Sequence, residues 1–317
     1  MKVDLIAGFP GSGKTVWIDR YIRYLKNKGM KVRVIQMDFS PVGVDAAMLE
    51  KTGCEIVDLS GVCLRCGGAA KFQSMLIRGA MDGCDRVIVE APGIYDAGEF
   101  FDAMELQEVK ACCRAGSMLT VLDPLSGEAF AGGAGYLTFT QIFSAGTLWI
   151  SKREQAREAQ EEQLLEQADG LLKERGFAPV SRERIWRKPL DQLEGKDFEA
   201  FLEGGCRFPG YSRERNRLGL EFESRETADL CENREDLEKR VRRLMSDPAL
   251  GKVLRVKGHM QDLERNWYEV SGFPGGVRVE PAETGRGICS VVGRQLRGEV
   301  LAEAFIPRKS VREKKYV

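Results

Sequence analysis

Residues Lys2 to Ala7 form a hydrophobic run that passes directly into Gly8-Phe9-Pro10-Gly11-Ser12-Gly13-Lys14-Thr15, and Val16 to Ile22 follow with apolar residues at helical spacing. A strand that turns through G-x-x-x-x-G-K-[ST] into a helix constrains the fold more than any other stretch of this chain. Glycines let successive backbone N–H groups turn inward as an anion nest, so Gly8, Gly11, Ser12 and Gly13 read as a phosphate cradle. The helix that begins near Lys14 adds the positive end of its dipole. Lys14 is placed to reach β- and γ-phosphates, and the Thr15 hydroxyl to hold Mg²⁺. The alternative, a glycine-rich turn with no ligand, is disfavoured by the strand and helix that flank the loop. The motif implies a nucleoside-triphosphate site.

The rest of the N-terminal half supplies the sheet such a loop needs. Lys31–Met37, Glu55–Leu59, Arg86–Glu90, Ser117–Asp123 and Thr147–Lys152 are short, nearly continuous apolar runs separated by helical stretches. That pattern predicts a P-loop NTPase α/β fold: a parallel sheet covered by helices on both faces. Ligands in such sheets gather beyond the carboxyl ends of the strands. A charged helix is expected over Arg153–Arg175, and an irregular connector with scattered Pro, Gly and Arg over 178–218. From 219 to 306 the pattern changes to strands at Leu220–Glu223, Lys252–Gly258, Trp267–Val270, Gly276–Glu280 and Ile288–Gly293. A helix over Asn233–Met245, with Asn233 as N-cap, completes a small α+β domain on an antiparallel sheet. The expected division is therefore 1–177, a connector 178–218, 219–306, and a basic tail 307–317.

Several candidate residues fall at strand ends. Glu90-Ala91-Pro92-Gly93 has the acid-x-x-Gly form of a Walker B element. Glu90 can hold Mg²⁺ or its water, and the Gly93 amide can report the γ-phosphate. Asp38, closing the neighbouring strand, can bind a Mg²⁺ water or orient the attacking water; Asp45 is a weaker candidate. Lys14, Asp38 and Glu90 are the expected catalytic group, with no side chain marked as general base. Asp123 reads equally as a turn former or a functional acid. Ser151-Lys152-Arg153-Glu154 occupies the place where guanine is read by Asn-Lys-x-Asp: Lys152 packs over the ring and Glu154 keeps the base-pairing carboxylate on a longer stem. Guanine is favoured over adenine, with the Asn replaced by Ser.

Of nine cysteines, Cys63 and Cys66 stand two residues apart on a glycine-flanked loop, with Cys54 upstream. Two thiolates so spaced can face one ion at about 2.3 Å, and Arg65 can favour the thiolate form. A tetrahedron needs more ligands, from Cys54, a second protomer or a partner protein. The alternatives are two free thiols in an ordinary loop, or a redox pair. Cys84, Cys112, Cys113, Cys206, Cys231 and Cys289 read as buried small hydrophobes. His259 is the one histidine.

Charge and length exclude some classes. Lys plus Arg and Asp plus Glu both total 48 in 317 residues, so no overall field recruits nucleic acid or an anionic membrane. No apolar run reaches the roughly 20 residues that span a bilayer, and the N-terminus lacks the order of a signal peptide. A cytoplasmic protein with reduced thiols is expected.

Together these stretches resemble the CobW-type metal-handling P-loop GTPases, relatives of the urease and hydrogenase nickel-insertion GTPases. Gly8 to Thr15 is similar to that family's P-loop, and Val89 to Gly93 to its Glu-x-x-Gly element. Gln141-Ile142-Phe143-Ser144-Ala145-Gly146 with Trp149-Ile150-Ser151-Lys152 resembles the approach to its guanine motif. Leu254-Arg255-Val256-Lys257-Gly258-His259 resembles the opening of its C-terminal domain. The family's metal loop is typically Cys-x-Cys-Cys after a glycine; Cys63-Leu64-Arg65-Cys66 has one thiol fewer. The resemblance implies GTP and Mg²⁺, slow hydrolysis coupled to Zn²⁺ or Co²⁺ delivery or to cofactor maturation, and a client metalloenzyme or cofactor-assembly protein as partner. A homodimer is expected because two CxxC loops can share one ion. Rival readings are a nucleotide-dependent client chaperone without its own metal site, and a P-loop small-molecule kinase.

Overall fold

The computed structural model describes residues 1–37, 49–59, 68–211, 223–227, 230–231, 233–273, 276–285 and 287–297. Asp38, Asp45, Cys63, Arg65, Cys66 and the expected tail lie outside them. The chain divides into two compact units, Met1–Glu221 and Phe222–Val317.

In the first unit β1 (Lys2–Gly8) runs into α1 (Lys14–Asn27), followed by β2 (Val32–Gln36), β3 (Glu55–Asp58), α2 (Gly68–Met81) and β4 (Arg86–Glu90). Then come α3 (Ala97–Met104), α4 (Gln107–Cys112), β5 (Arg114–Leu122), α5 (Gly132–Ser144), β6 (Thr147–Ile150) and α6 (Glu158–Lys173). β7 (Ile185–Trp186) and α7 (Gly195–Gly204) complete the unit. The described strands form one parallel sheet in the order β3-β2-β4-β1-β5-β6-β7. β1 is central, and every residue from Val3 to Gly8 is buried, as expected of a strand covered on both faces. Burying its one charge requires compensation. Asp4 accepts from Arg86 Nη1 at 2.6 and 2.7 Å, from the Tyr21 hydroxyl at 2.8 Å and from the Ser117 amide at 2.8 Å. Burial, and then the Asp4 charge, push the Tyr21 hydroxyl far above its ordinary pKa, so it stays a donor.

Three expectations need correction. The stretch 178–211 is not an irregular connector. β7 extends the parallel sheet, and α7 packs Phe198 and Phe201 against Trp17 and Tyr21 of α1, with Phe201 4.8 Å from Trp17 and 5.1 Å from Tyr21 between ring centroids. Two aromatics three residues apart on one helical face were the available signal. The charged helix begins at Glu158, not Arg153, because Lys152 adopts a left-handed φ of 52° and Arg153–Gln155 form a 3₁₀ turn. At the start of α6 the Arg157 amide donates to Gln160 Oε1 at 2.9 Å. β5 begins at Arg114, ahead of the expected Ser117; Gly116 is no breaker, since a Cβ there would lie 2.2 Å from Asp4 Oδ1.

The second unit holds β8 (Glu223–Thr227), β9 (Leu230–Cys231), α8 (Arg234–Ser246), β10 (Lys252–Asp262), β11 (Trp267–Phe273), β12 (Gly276–Ala282) and β13 (Cys289–Arg294). The strands pair antiparallel in the order β12-β11-β10-β13-β8, and β9 joins β10 in parallel. Residues 220–222 of the expected first strand lie outside the description. Asn233 Oδ1 accepts from the Asp236 amide at 2.9 Å and so caps α8. Leu237, Val241 and Leu244 of that helix share a core with Val256, Val270, Val279 and Val291.

Candidate functional site

The phosphate-loop geometry follows from its glycines. Gly8, Gly11 and Gly13 have φ of 144°, 79° and 105°, which L side chains rarely adopt. At Gly8 a Cβ would also lie 2.5 Å from the Val121 carbonyl oxygen of β5. Gly13 caps α1 without a side-chain partner, and no acid stands in the helix's first turn. The helix therefore presents its first amides and positive dipole end to the loop. Lys14 is buried, and its ammonium donates to the carbonyls of Gly8 (3.0 Å) and Phe9 (3.4 Å). Ser12 Oγ is buried with no hydrogen-bond partner among the described residues.

β4 delivers the acid. Glu90, 3% exposed, accepts from Thr15 Oγ1 at 2.6 Å through Oε1 and from Gln36 Nε2 at 2.9 Å through Oε2. Glu90 and Gln36 are register partners on adjacent strands, which puts their side chains on one face of the sheet. An octahedral Mg²⁺ with oxygens at about 2.0–2.1 Å separates adjacent ligands by about 2.9 Å. The Thr15–Glu90 pair is within a few tenths of an ångström of that span, so a hard cation bridging the two oxygens fits this donor set. Beyond the strand, the segment to Gly93 sits directly on the phosphate loop: a Cβ on Gly93 would lie 2.4 Å from Pro10 Cγ.

On the other side of β1, Asp123 follows β5. Its Oδ1 accepts from the Leu125 amide at 2.9 Å and its Oδ2 from Lys152 Nζ at 2.6 Å. It is therefore both turn former and ion-pair partner. Ser151 closes β6 through its amide to Leu122 O at 2.9 Å, and its Cβ stands 4.0 Å from where a Cβ on Gly13 would be. The strand end carrying Lys152 thus borders the phosphate loop. Glu154 is exposed in the 3₁₀ turn, where it accepts from Gln155 Nε2 at 3.2 Å.

The structure brings Lys14, Thr15, Glu90 and Gly93 together, with Lys152 nearby. It does not bring Cys54 there. Cys54 precedes β3 and donates to Val32 O at 3.1 Å. Burial pushes its thiol up to about 11. Among the described residues no three His, Cys, Asp or Glu side chains converge as a metal site. Of the cysteines expected to be buried, Cys84, Cys113 and Cys289 are; Cys112 and Cys206 are partly exposed, and the Cys231 side chain lies outside the description. Sequence reasoning missed Gln36, treating it as one more strand residue. The signal was an uncharged polar residue closing an otherwise strongly β-forming run, beside the strand that ends in the acid.

A parallel sheet with a glycine loop at its central strand, a lysine and threonine at the following helix, and an acid beside them define a P-loop nucleotide-binding domain. Residues 2–178 match the family model for the CobW/HypB/UreG nucleotide-binding domain, and the chain belongs to that family. It is similar to the zinc chaperone YeiR of Escherichia coli K12, 28% identical over 126 residues, which are 39% of this chain and 38% of YeiR. The chain thus spans little more than a third of that relative's length. Among solved structures it is similar to zinc-bound YjiA GTPase from E. coli, with a TM-score of 0.38, 18% identity and coverage of 96% of this chain and 98% of YjiA. HypB from Helicobacter pylori in complex with nickel gives a TM-score of 0.38 and 21% identity over 63% of this chain and 83% of HypB. No described helix is long and apolar enough to cross a membrane.

Proposed function

We propose that this protein is a slow, Mg²⁺-dependent GTPase that couples its nucleotide state to metal delivery or metal-cofactor maturation in a client enzyme. The observation that carries the nucleotide part is the convergence of Thr15, Glu90 and Gly93 on the phosphate loop. Thr15 and Glu90 would hold Mg²⁺, which offsets charge on the phosphates. Lys14, drawn off the Gly8 and Phe9 carbonyls, would add its charge there. Because Gly93 rests on Pro10, a change in the loop's occupancy is transmitted to the segment after β4, and that is the basis for a switch. Family membership supports guanine as the base, with Lys152 and Glu154 as its readers, and Asp38 as the residue that orients water. Cargo metal, zinc or cobalt, would be carried by Cys63 and Cys66, with remaining ligands from Cys54, a second protomer or the client.

Lys14→Ala is expected to weaken GTP binding about a hundredfold, the scale of a charge-assisted contact; retained tight binding in a titration would overturn the nucleotide reading. Zinc titration of the reduced protein, with and without a non-hydrolysable GTP analogue, tests the coupling. The expected result is a nucleotide-dependent affinity that a Cys63→Ser/Cys66→Ser double variant loses. Unchanged zinc binding in that variant would favour the client chaperone without its own metal site.

A further inference from the structure

Gln36 closes β2 and is 2% exposed. Glu90, accepting from both Thr15 and Gln36, is an acceptor at each oxygen, so the Gln36 atom 2.9 Å from Oε2 has to be the NH₂ nitrogen. The carboxamide oxygen is left for another partner, and it is buried with no donor among the described residues. A buried, unmet acceptor costs about 1–3 kcal/mol. Another buried oxygen without a partner among the described residues, Ser12 Oγ, lies in the phosphate loop itself. An unmet acceptor one hydrogen bond from a metal-holding carboxylate calls for a donor that arrives with the ligand. Mg²⁺ dehydrates reluctantly and keeps several waters, each a strong donor.

We propose that Gln36 is the outer-shell positioning residue of the Mg²⁺ site: its NH₂ group fixes the Glu90 carboxylate and its oxygen accepts from a water on the ion. The inference rests on the Mg²⁺–nucleotide reading above. It assigns β2 a part in metal binding through a residue that never touches the ion. Both functions sit on one rigid carboxamide, so the strand registers the hydrated ion through its last side chain.

The test uses Gln36→Met, which keeps length and burial but loses both hydrogen bonds, with Gln36→Leu as a second variant and thermal melts to confirm folding. Mn²⁺ affinity in the presence of GDP is read by electron paramagnetic resonance, and GDP affinity is measured separately in excess chelator. Outer-shell partners are worth about 10–100-fold in metal affinity. The expected result is Mn²⁺ binding weakened at least about tenfold in both variants, with chelator-resistant GDP affinity unchanged. A merely structural role would move both affinities together, or neither, and either result overturns the proposal. If the wild-type protein binds GDP but shows no nucleotide-dependent Mn²⁺ binding, the Mg²⁺ reading itself fails and this inference with it.

Discussion

Gly93 and Cys54 show how single side chains decide the chemistry here. An alanine at 93 would place its Cβ 2.4 Å from the Pro10 ring, closer than any real contact. Overpacking of this kind costs about 1–3 kcal/mol. Since the strain falls where β4 meets the phosphate loop, Gly93→Ala is expected to weaken GTP-analogue binding about tenfold or more in a titration, while far-ultraviolet dichroism stays native. Cys54 makes the opposite case. With the thiol held near 11 against an ordinary 9.0, the thiolate fraction at pH 8 falls about a hundredfold. Iodoacetamide labelling followed by peptide mass mapping is expected to show Cys54 slower than a free thiol by that factor. Fast labelling would show that burial does not hold the thiol protonated. The unfolded thiol ionises near 9 and the folded one near 11, so folding takes up this proton as pH rises and the stability Cys54 contributes is lost across that window. The glycines, lysine, threonine and acid were legible because the phosphate-loop pattern prescribes residue types at fixed spacings. Gln36 and the Asp123–Lys152 pair were not, because their partners lie far away in sequence and a strand pattern does not say which polar side chains will meet.

The elements carry a different lesson. β1, α1, β4 and α8 stand close to where hydrophobic periodicity and capping residues place them. α7 was passed over because ten residues of mixed charge between prolines and glycines look like a linker until Trp17 is known to need cover. Phe201 is fully buried against α1, and Phe201→Ala is expected to cost about 3–5 kcal/mol, measured as a shift in the urea midpoint at constant m-value. Ending the chain at residue 177 would strip α1 of both Phe198 and Phe201. That fragment is expected to be insoluble or to bind the dye ANS as a molten state; a cooperatively folding 1–177 fragment would show that α7 is an accessory.

For the whole molecule, the two units each enclose their own core. Residues 1–221 are therefore expected to unfold in one calorimetric transition that GDP raises, with the full chain's affinity for GDP. A fragment that folds but fails to bind would mean the site borrows from beyond residue 221. The central position of β1 has a consequence during synthesis. Ile6 pairs with Glu90 on one side and Leu119 on the other, and neither neighbour exists when the ribosome has made the strand and its glycine loop. At about 5–20 residues per second, a strand destined for burial from Val3 to Gly8 spends several seconds without a partner on either edge. The strand of this sheet made earliest cannot take its place until β4 and β5 have emerged, and until then it needs shelter from other nascent chains.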